Sequence, residues 1–122
     1  MTNTQKALAF IAAWQARDVE KILAAMTPDA VYHNIPMQPM KGRDAIRGFI
    51  GPFLGGATRV EWMVHSIAEN SKGTVLTERT DVFEMGPKTI SLPVMGAFEF
   101  RDGLISAWRD YFDLADFQRQ MA

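Results

Sequence analysis

The sequence predicts an α+β fold in which N-terminal helices pack on one face of a strongly curved, mixed but mostly antiparallel β-sheet. Apolar residues repeat at helical spacing in the first half of the chain, and the second half holds long strand-like segments separated by turn signals. The chain has 122 residues, of which 48% are hydrophobic and 22% charged, so we expect one globular domain over residues 1–122. Helices that cover one face of a curved sheet leave a cone-shaped hollow between the two layers.

Two helices are predicted before residue 30. The first can be capped by Thr2, Asn3 or Thr4, and its apolar residues are Ala7, Phe10, Ile11 and Trp14. The second follows Asp18, a good N-cap residue, and repeats the pattern with Val19, Ile22, Leu23 and Met26. The sequence Thr27-Pro28-Asp29 is expected to end it.

A third helix is predicted to open at Gly42-Arg43-Asp44. Its apolar residues are Ala45, Ile46, Phe49, Ile50 and Phe53. Pro52 is expected to kink or end this helix, and Gly55-Gly56 to complete the stop.

The predicted sheet consists of one short strand and four long ones. A short strand covers about Ala30 to Ile35, and a loop with two prolines follows at residues 36–40. The long strands are Thr58 to Asn70, Thr74 to Met85, Thr89 to Phe100 and Leu104 to Phe112. Gly96 and the nearby Pro93 are expected to allow a bend or bulge, and residues 113–121 a last helical turn or two.

Composition excludes several classes of function. The formal net charge is -1 and no lysine and arginine cluster stands out, so nucleic acid is not expected as a partner. No apolar run reaches the ~18 residues of a membrane span and no signal peptide precedes the first helix, which favours a cytoplasmic protein without membrane contact. The chain has no cysteine, and its two histidines, His33 and His65, lie far apart. We therefore expect no metal and no cofactor.

Five polar residues on three predicted strands form the candidate site. Side chains two apart on a strand share a face, so Tyr32 lies on the same face as Asn34, and Arg79 on the same face as Asp81. Asp110 has the parity of Leu104, Trp108 and Phe112, which is the apolar face of its strand. Buried charges are costly unless they are paired, so two carboxylates and one arginine on an inner face need each other. Such a group is a plausible acid, base and bridge.

Each piece of this set also has a purely structural interpretation. Arg79 and Asp81 could form an ordinary ion pair, and Tyr32 and Asn34 could lie on a half-buried strand that meets water. His33 and His65 are interpreted as structural or surface residues. The abundant methionine, tryptophan and phenylalanine residues could fill the core or line a pocket for an apolar ligand.

In their local sequences these residues resemble the limonene-1,2-epoxide hydrolase family, within the SnoaL-like and NTF2-like superfamily. The matching segments are Tyr32-His33-Asn34-Ile35-Pro36, Gly42-Arg43-Asp44-Ala45, Thr77-Glu78-Arg79-Thr80-Asp81-Val82 and Trp108-Arg109-Asp110-Tyr111-Phe112-Asp113-Leu114. The resemblance covers nearly the whole chain, and the segments together are specific although each alone is weak. It implies a homodimeric, cofactor-free epoxide hydrolase that opens a small apolar epoxide with water in one step.

The resemblance also implies a role for each site residue. Asp110 would be the general base, Tyr32 and Asn34 would hold the water, Asp81 would protonate the epoxide oxygen, and Arg79 would bridge the two carboxylates. The substrate pocket would be lined by Phe83, Leu92, Val94, Trp108 and Phe112. A ketosteroid-isomerase-like or SnoaL-like isomerase or cyclase, and a non-catalytic NTF2-like ligand-binding domain, stay open as alternatives on the same fold.

Overall fold

The computed structural model describes residues 1–122 and places four helices against one six-stranded sheet. The helices are α1 (Asn3–Gln15), α2 (Val19–Ala24), α3 (Arg43–Gly56) and α4 (Leu114–Met121). The strands are β1 (Met26–Asn34), β2 (Met40–Lys41), β3 (Arg59–Glu69), β4 (Val75–Met85), β5 (Lys88–Arg101) and β6 (Leu104–Tyr111). No helix of the protein has the length and hydropathy needed to cross a lipid bilayer.

The sheet is open and mixed, with the strand order β2-β1-β6-β5-β4-β3. All neighbours are antiparallel except β1 and β6, which run parallel. The predicted α+β architecture is confirmed, including the mixed but mostly antiparallel sheet. The parallel pair has a functional consequence, because it brings Asn34 directly opposite Asp110.

Three of the four helices begin where the sequence supplies a side-chain cap, and α3 begins after Gly42 without one. The Thr2 hydroxyl accepts from the Gln5 amide, and the Gln5 side chain accepts from the Thr2 amide in return. Asp18 and Asp113 accept in the same manner from the first turns of α2 and α4. Because the first amides of a helix have no partner within the helix, such caps define where it starts.

Three details differ from the sequence prediction. Met26 opens β1 instead of closing α2, and β1 therefore begins four residues before the predicted Ala30. A two-residue strand, β2, lies within and just beyond the predicted loop and pairs with Val31 and Tyr32. Helix α3 continues past Pro52, because Leu54 is buried in the core and a proline removes only one hydrogen bond from the helix.

The core lies between the helices and the inner face of the sheet. Along β4 and β5 buried residues alternate with more exposed ones, as expected for strands covered on one face. At its centre the Trp108 ring contacts the rings of Phe10, Trp14, Tyr32, Trp62 and Phe98, with centroid distances between 3.8 and 6.1 Å. The polar residues of the inner face pack against this aromatic cluster.

Candidate active site

The five predicted polar residues meet on the inner face of the sheet. Arg79 and Asp81 come from β4, Asp110 from β6, and Tyr32 and Asn34 from β1. Each of these side chains is almost completely buried, with exposures between 1% for Arg79 and 6% for Asn34. The face predicted from the i, i+2 spacing is therefore the buried one.

Arg79 bridges the two carboxylates. Its Nε donates to Asp81 Oδ1 at 3.0 Å and its Nη2 donates to Asp81 Oδ2 at 2.9 Å, so Asp81 is held by two parallel bonds. The same Nη2 donates to Asp110 Oδ2 at 3.1 Å. Bidentate bonds between charged groups are the strong ones in a protein interior, and they fix direction as well as distance.

Gly96 makes this bridge sterically possible. It pairs with Thr77 of β4 on one side and with Asp110 of β6 on the other. A Cβ atom at this position would lie 2.3 Å from Arg79 Nη1 and 2.8 Å from Asp110 Oδ1. No bulge occurs at Gly96, since the registers of β5 with β4 and with β6 are both continuous at this residue, and the expected bend there stays a prediction. Glycine is required here so that a side chain from the next strand can cross over it.

The second oxygen of Asp110 is held by Trp108. The indole Nε1 donates to Asp110 Oδ1 at 2.9 Å. The Trp108 ring also stacks on the ring of Tyr32 at 3.8 Å, and the Tyr32 hydroxyl donates to Asn34 Oδ1 at 3.0 Å. One buried tryptophan thus orients both the carboxylate and the phenol beside it.

Burial dominates the electrostatics of the site. It raises the pKa of Asp81 to about 6, although the bonds from Arg79 pull in the opposite direction. Burial also raises the pKa of Asp110 against the same attraction from Arg79, and it raises that of Tyr32 far above its usual range. The pKa of Arg79 is raised in spite of burial, because two carboxylates face it. One fixed positive charge faces two carboxylates, so as the pH falls toward 6 the pair favours a single shared proton.

A cavity of about 170 Å³ opens beside these groups. Asp81, Asp110, Tyr32 and Asn34 supply its polar wall, and ten apolar or aromatic residues supply the rest: Trp14, Met37, Phe49, Phe53, Trp62, Phe83, Leu92, Val94, Phe112 and Phe117. A mostly apolar hollow with a few convergent polar groups is the usual form of a small-molecule site.

Four of the five predicted pocket residues, Phe83, Leu92, Val94 and Phe112, line this cavity. Trp108 does not, because the stacked Tyr32 ring lies against it and its exposure is 0%. Trp108 therefore lies behind the pocket wall, and not in it as predicted. Arg79 is also outside the wall, and Trp62 covers it with its ring centroid 4.4 Å from the guanidinium carbon.

Sequence reasoning missed the pocket residues that come from the helices and from β3. Phe49 and Phe53 lie on the apolar stripe of α3, and Trp62 lies on the inner face of β3 opposite Asp81. Their periodicity marked them as buried, but periodicity does not distinguish a core residue from a residue that lines a cavity.

The histidines lie away from the site. His33 Nε2 is 2.9 Å from the Met37 carbonyl oxygen, and His65 Nε2 is 2.8 Å from Thr80 Oγ1. Nowhere do three histidine, aspartate or glutamate side chains converge in a group that could hold a metal ion.

A second crevice of about 200 Å³, next to α1 and α2, has Lys6 and Lys21 as its charged lining residues and no carboxylate. A third crevice of about 280 Å³ has His65 and Glu78 among its lining residues, but neither Asp81 nor Asp110 lines it. The two carboxylates bridged by Arg79 therefore meet in the cavity on the inner face.

Comparison with known proteins identifies a family. The family model described as the limonene-1,2-epoxide hydrolase catalytic domain matches residues 1–122. Epoxide hydrolase EphG of Mycobacterium tuberculosis is 36% identical over 108 residues, which cover 88% of this chain and 71% of that protein.

Solved structures agree with both the family and the fold. An LEH-like epoxide hydrolase from M. tuberculosis matches with a TM-score of 0.84 and 33% identity, over 98% of this chain and 89% of the other. A SnoaL-like protein from Shewanella putrefaciens matches with a TM-score of 0.84 at 13% identity, over 98% and 95% of the two chains. The second match shows a shared fold alone.

The raised pKa of Asp81 predicts a specific dependence of stability on pH. The pKa of Asp81 in the folded state is about 6, above the ordinary value of 3.8 for an aspartate, so between these two values the folded state holds a proton that the unfolded state has released. The free energy of unfolding should fall as pH rises through this window, by about 3 kcal/mol at most from this group. In Asp81→Asn that component should be absent, which urea unfolding of both proteins between pH 4 and pH 7.5 can measure.

Asp44→Asn, an exposed change on α3, is the control for this experiment and should follow the wild-type pH dependence. Parallel curves for wild type and Asp81→Asn would show that Asp81 titrates normally and would contradict the shared proton.

Proposed function

The chain belongs to the limonene-1,2-epoxide hydrolase family, and we propose that this epoxide hydrolase opens a small apolar epoxide to a vicinal diol by one-step attack of water. The main support for the proposal is that Asp81 and Asp110 stand in the wall of one apolar cavity and that Arg79, behind this wall, binds both of them. An epoxide needs an acid for its oxygen and a base for the attacking water, and this arrangement supplies one of each.

In the proposed reaction Asp110 is the base. Asn34 and Tyr32 lie in the same cavity wall, and Asn34 is the direct cross-strand neighbour of Asp110. A water bound among these three groups gives a proton to the Asp110 carboxylate while its oxygen bonds to one epoxide carbon. Holding the water in place removes much of the entropy cost of attack.

Asp81 is the proposed acid. As the carbon–oxygen bond of the epoxide breaks, the leaving oxygen takes the proton of the Asp81 carboxyl, so no free alkoxide forms. A pKa of about 6 is suitable for an acid that must be protonated in part near neutral pH. After one turnover the proton lies on Asp110, and the resting state returns by proton exchange with solvent or within the Arg79 bridge.

The pocket favours a small apolar substrate, such as a terpene-like or cyclic epoxide. Its volume is about 170 Å³, and Phe83, Leu92 and Val94 stand next to the polar wall. A panel of terpene, cycloalkene and styrene epoxides, assayed for diol, tests the substrate class. The cytoplasmic location expected from the sequence stays a prediction.

An isomerase or cyclase on the same fold is the competing function. Such an enzyme also uses an aspartate base, but it stabilises an enolate with neutral donors. A second carboxylate that shares one arginine with the base suits that task poorly, because it adds negative charge beside a developing anion. Diol formation from an epoxide distinguishes the two functions.

Amide substitution at either carboxylate should abolish diol formation. Asp110→Asn cannot accept the water proton and Asp81→Asn cannot donate one, and each role is worth about 10²–10⁴-fold in rate. The Tyr32→Phe change should be milder, since Asn34 and Asp110 still hold the water. Steady-state kinetics with circular dichroism spectra as a check on folding provide the measurement, with Asp44→Asn as the surface control. Turnover near the wild-type rate in a folded Asp110→Asn or Asp81→Asn variant would assign the chemistry to other residues.

We also propose that the protein is a homodimer formed through the outer face of the sheet. Leu76, Val82 and Ala107 lie on this face, and Met63, Leu76, Met95 and Tyr111 expose between 39% and 53% of their surface. Exposed large apolar residues on adjacent strands indicate an interaction surface, and a specific dimer needs more than about 1,000 Å² of buried area.

Light scattering at micromolar concentration should give the mass of two chains. The Met95→Glu change should convert the protein to monomers, because it buries an unpaired charge in the interface. Leu8→Glu, at another exposed apolar position on α1, should leave the mass unchanged. A monomeric wild-type protein under these conditions would refute the dimer.

A further inference from the structure

Arg79 has a third anchor besides the two carboxylates. Its Nη1 donates to the hydroxyl oxygen of Thr77 at 3.0 Å. Thr77 lies two residues before Arg79 on the same face of β4, is 1% exposed, and is absent from the wall of the substrate cavity. Its hydroxyl therefore acts on the arginine and does not touch the substrate.

The three anchors surround the planar guanidinium. Asp81 holds the edge formed by Nε and Nη2, Asp110 holds the second hydrogen of Nη2, and Thr77 holds Nη1. Asp81 is the next residue along the same face of β4, so its two hydrogen bonds with Arg79 would persist if the Arg79 side chain moved. The longer single bond to Asp110 crosses to β6 and depends on where Nη2 points.

Gly96 leaves room for such a movement. The position of its missing Cβ is 2.3 Å from Arg79 Nη1 and 2.9 Å from Thr77 Oγ1, so no side chain from β5 blocks the guanidinium on that side. A buried N–H without an acceptor is destabilising, which favours rotation of the guanidinium toward another partner. In the observed orientation of the guanidinium, the Thr77 hydroxyl is the acceptor for the N–H of Arg79 Nη1.

We propose that Thr77 is a positioning residue for the hydrolysis described above, and that its hydroxyl keeps Arg79 shared between Asp81 and Asp110. The expected effects on kcat and on the pH–rate profile rest on the proposed function. Without the hydroxyl, Arg79 remains paired with Asp81 but loses its fixed bond to Asp110, and the base loses the positive charge that stabilises its ionised form.

Thr77→Val tests the proposal, because valine keeps the shape of threonine and removes the acceptor. The kcat value should fall about tenfold to a hundredfold, as expected for a misplaced catalytic group, with KM nearly unchanged because Thr77 lies outside the pocket. The ionisable side chains that meet here are Tyr32, Arg79, Asp81 and Asp110. Weaker stabilisation of the Asp110 carboxylate should shift the acid limb of the pH–rate profile upward by about one pH unit.

Thr77→Ser is the matched control. Serine retains the acceptor oxygen, so it should restore both the rate and the pH profile to near wild type even if the loss of a methyl group lowers the melting temperature. Should Thr77→Val fail to fold, Thr77→Ala provides the same test without an added methyl group. Wild-type kcat and pH profile in a folded valine or alanine variant, or a change in melting temperature alone, would overturn the proposal.

A titration of the free protein separates this inference from the proposed function. The carboxyl carbon of Asp110, observed by ¹³C NMR, should titrate at higher pH in Thr77→Val than in wild type and Thr77→Ser, whereas that of Asp81, which keeps its bonds to Arg79, should not shift upward. That result would support the positioning role even if the wild-type protein yielded no diol from any epoxide. Identical titration curves in all three proteins would refute the positioning role whatever the activity is.

Discussion

One buried guanidinium between two buried carboxylates is the constraint on which the rest of this structure depends. Arg79 is enclosed by β-sheet and aromatic rings, and its charge has no solvent to stabilise it. Asp81 and Asp110 stabilise it, but together they bring one negative charge too many into a region of low dielectric constant. In the proposed mechanism a proton shared by the two acids resolves the excess, and the same proton makes one of them the acid and the other the base.

The surrounding fold can be understood as support for this arrangement. The parallel pairing of β1 with β6 aligns Asn34 with Asp110, and Gly96 removes the side chain that would separate Arg79 from Asp110. Trp108 fixes the remaining Asp110 oxygen from behind the pocket. All five polar residues of the candidate site stand on strands and none on a loop, so the sheet fixes their spacing.

Strand parity predicted most of the site, because alternation along a strand is a local property. It places Arg79, Asp81 and Asp110 on the buried face and puts Phe83 and Phe112 on the same side. Leu92 and Val94 follow only from the family resemblance. Parity does not determine which strands are neighbours. The position of Gly96 between Thr77 and Asp110 depends on sheet order, so the sequence alone suggests a bend or bulge there. The resemblance suggests Trp108 as a pocket residue, and neither it nor parity shows that the Tyr32 ring lies against Trp108. The early start of β1 at Met26 reflects pairing with Ile105, a contact distant in sequence.

In the proposed mechanism Asp110 takes a proton from water and does not bond to the substrate carbon, which a single turnover in ¹⁸O-labelled water distinguishes from attack by the carboxylate. With enzyme in excess over epoxide, direct attack by water places the label in the first diol and none in the protein. An ester intermediate would instead deliver an unlabelled carboxylate oxygen to the first diol. Mass spectrometry that finds ¹⁸O in the peptide containing Asp81 or Asp110 after one turnover would rule out direct attack by water.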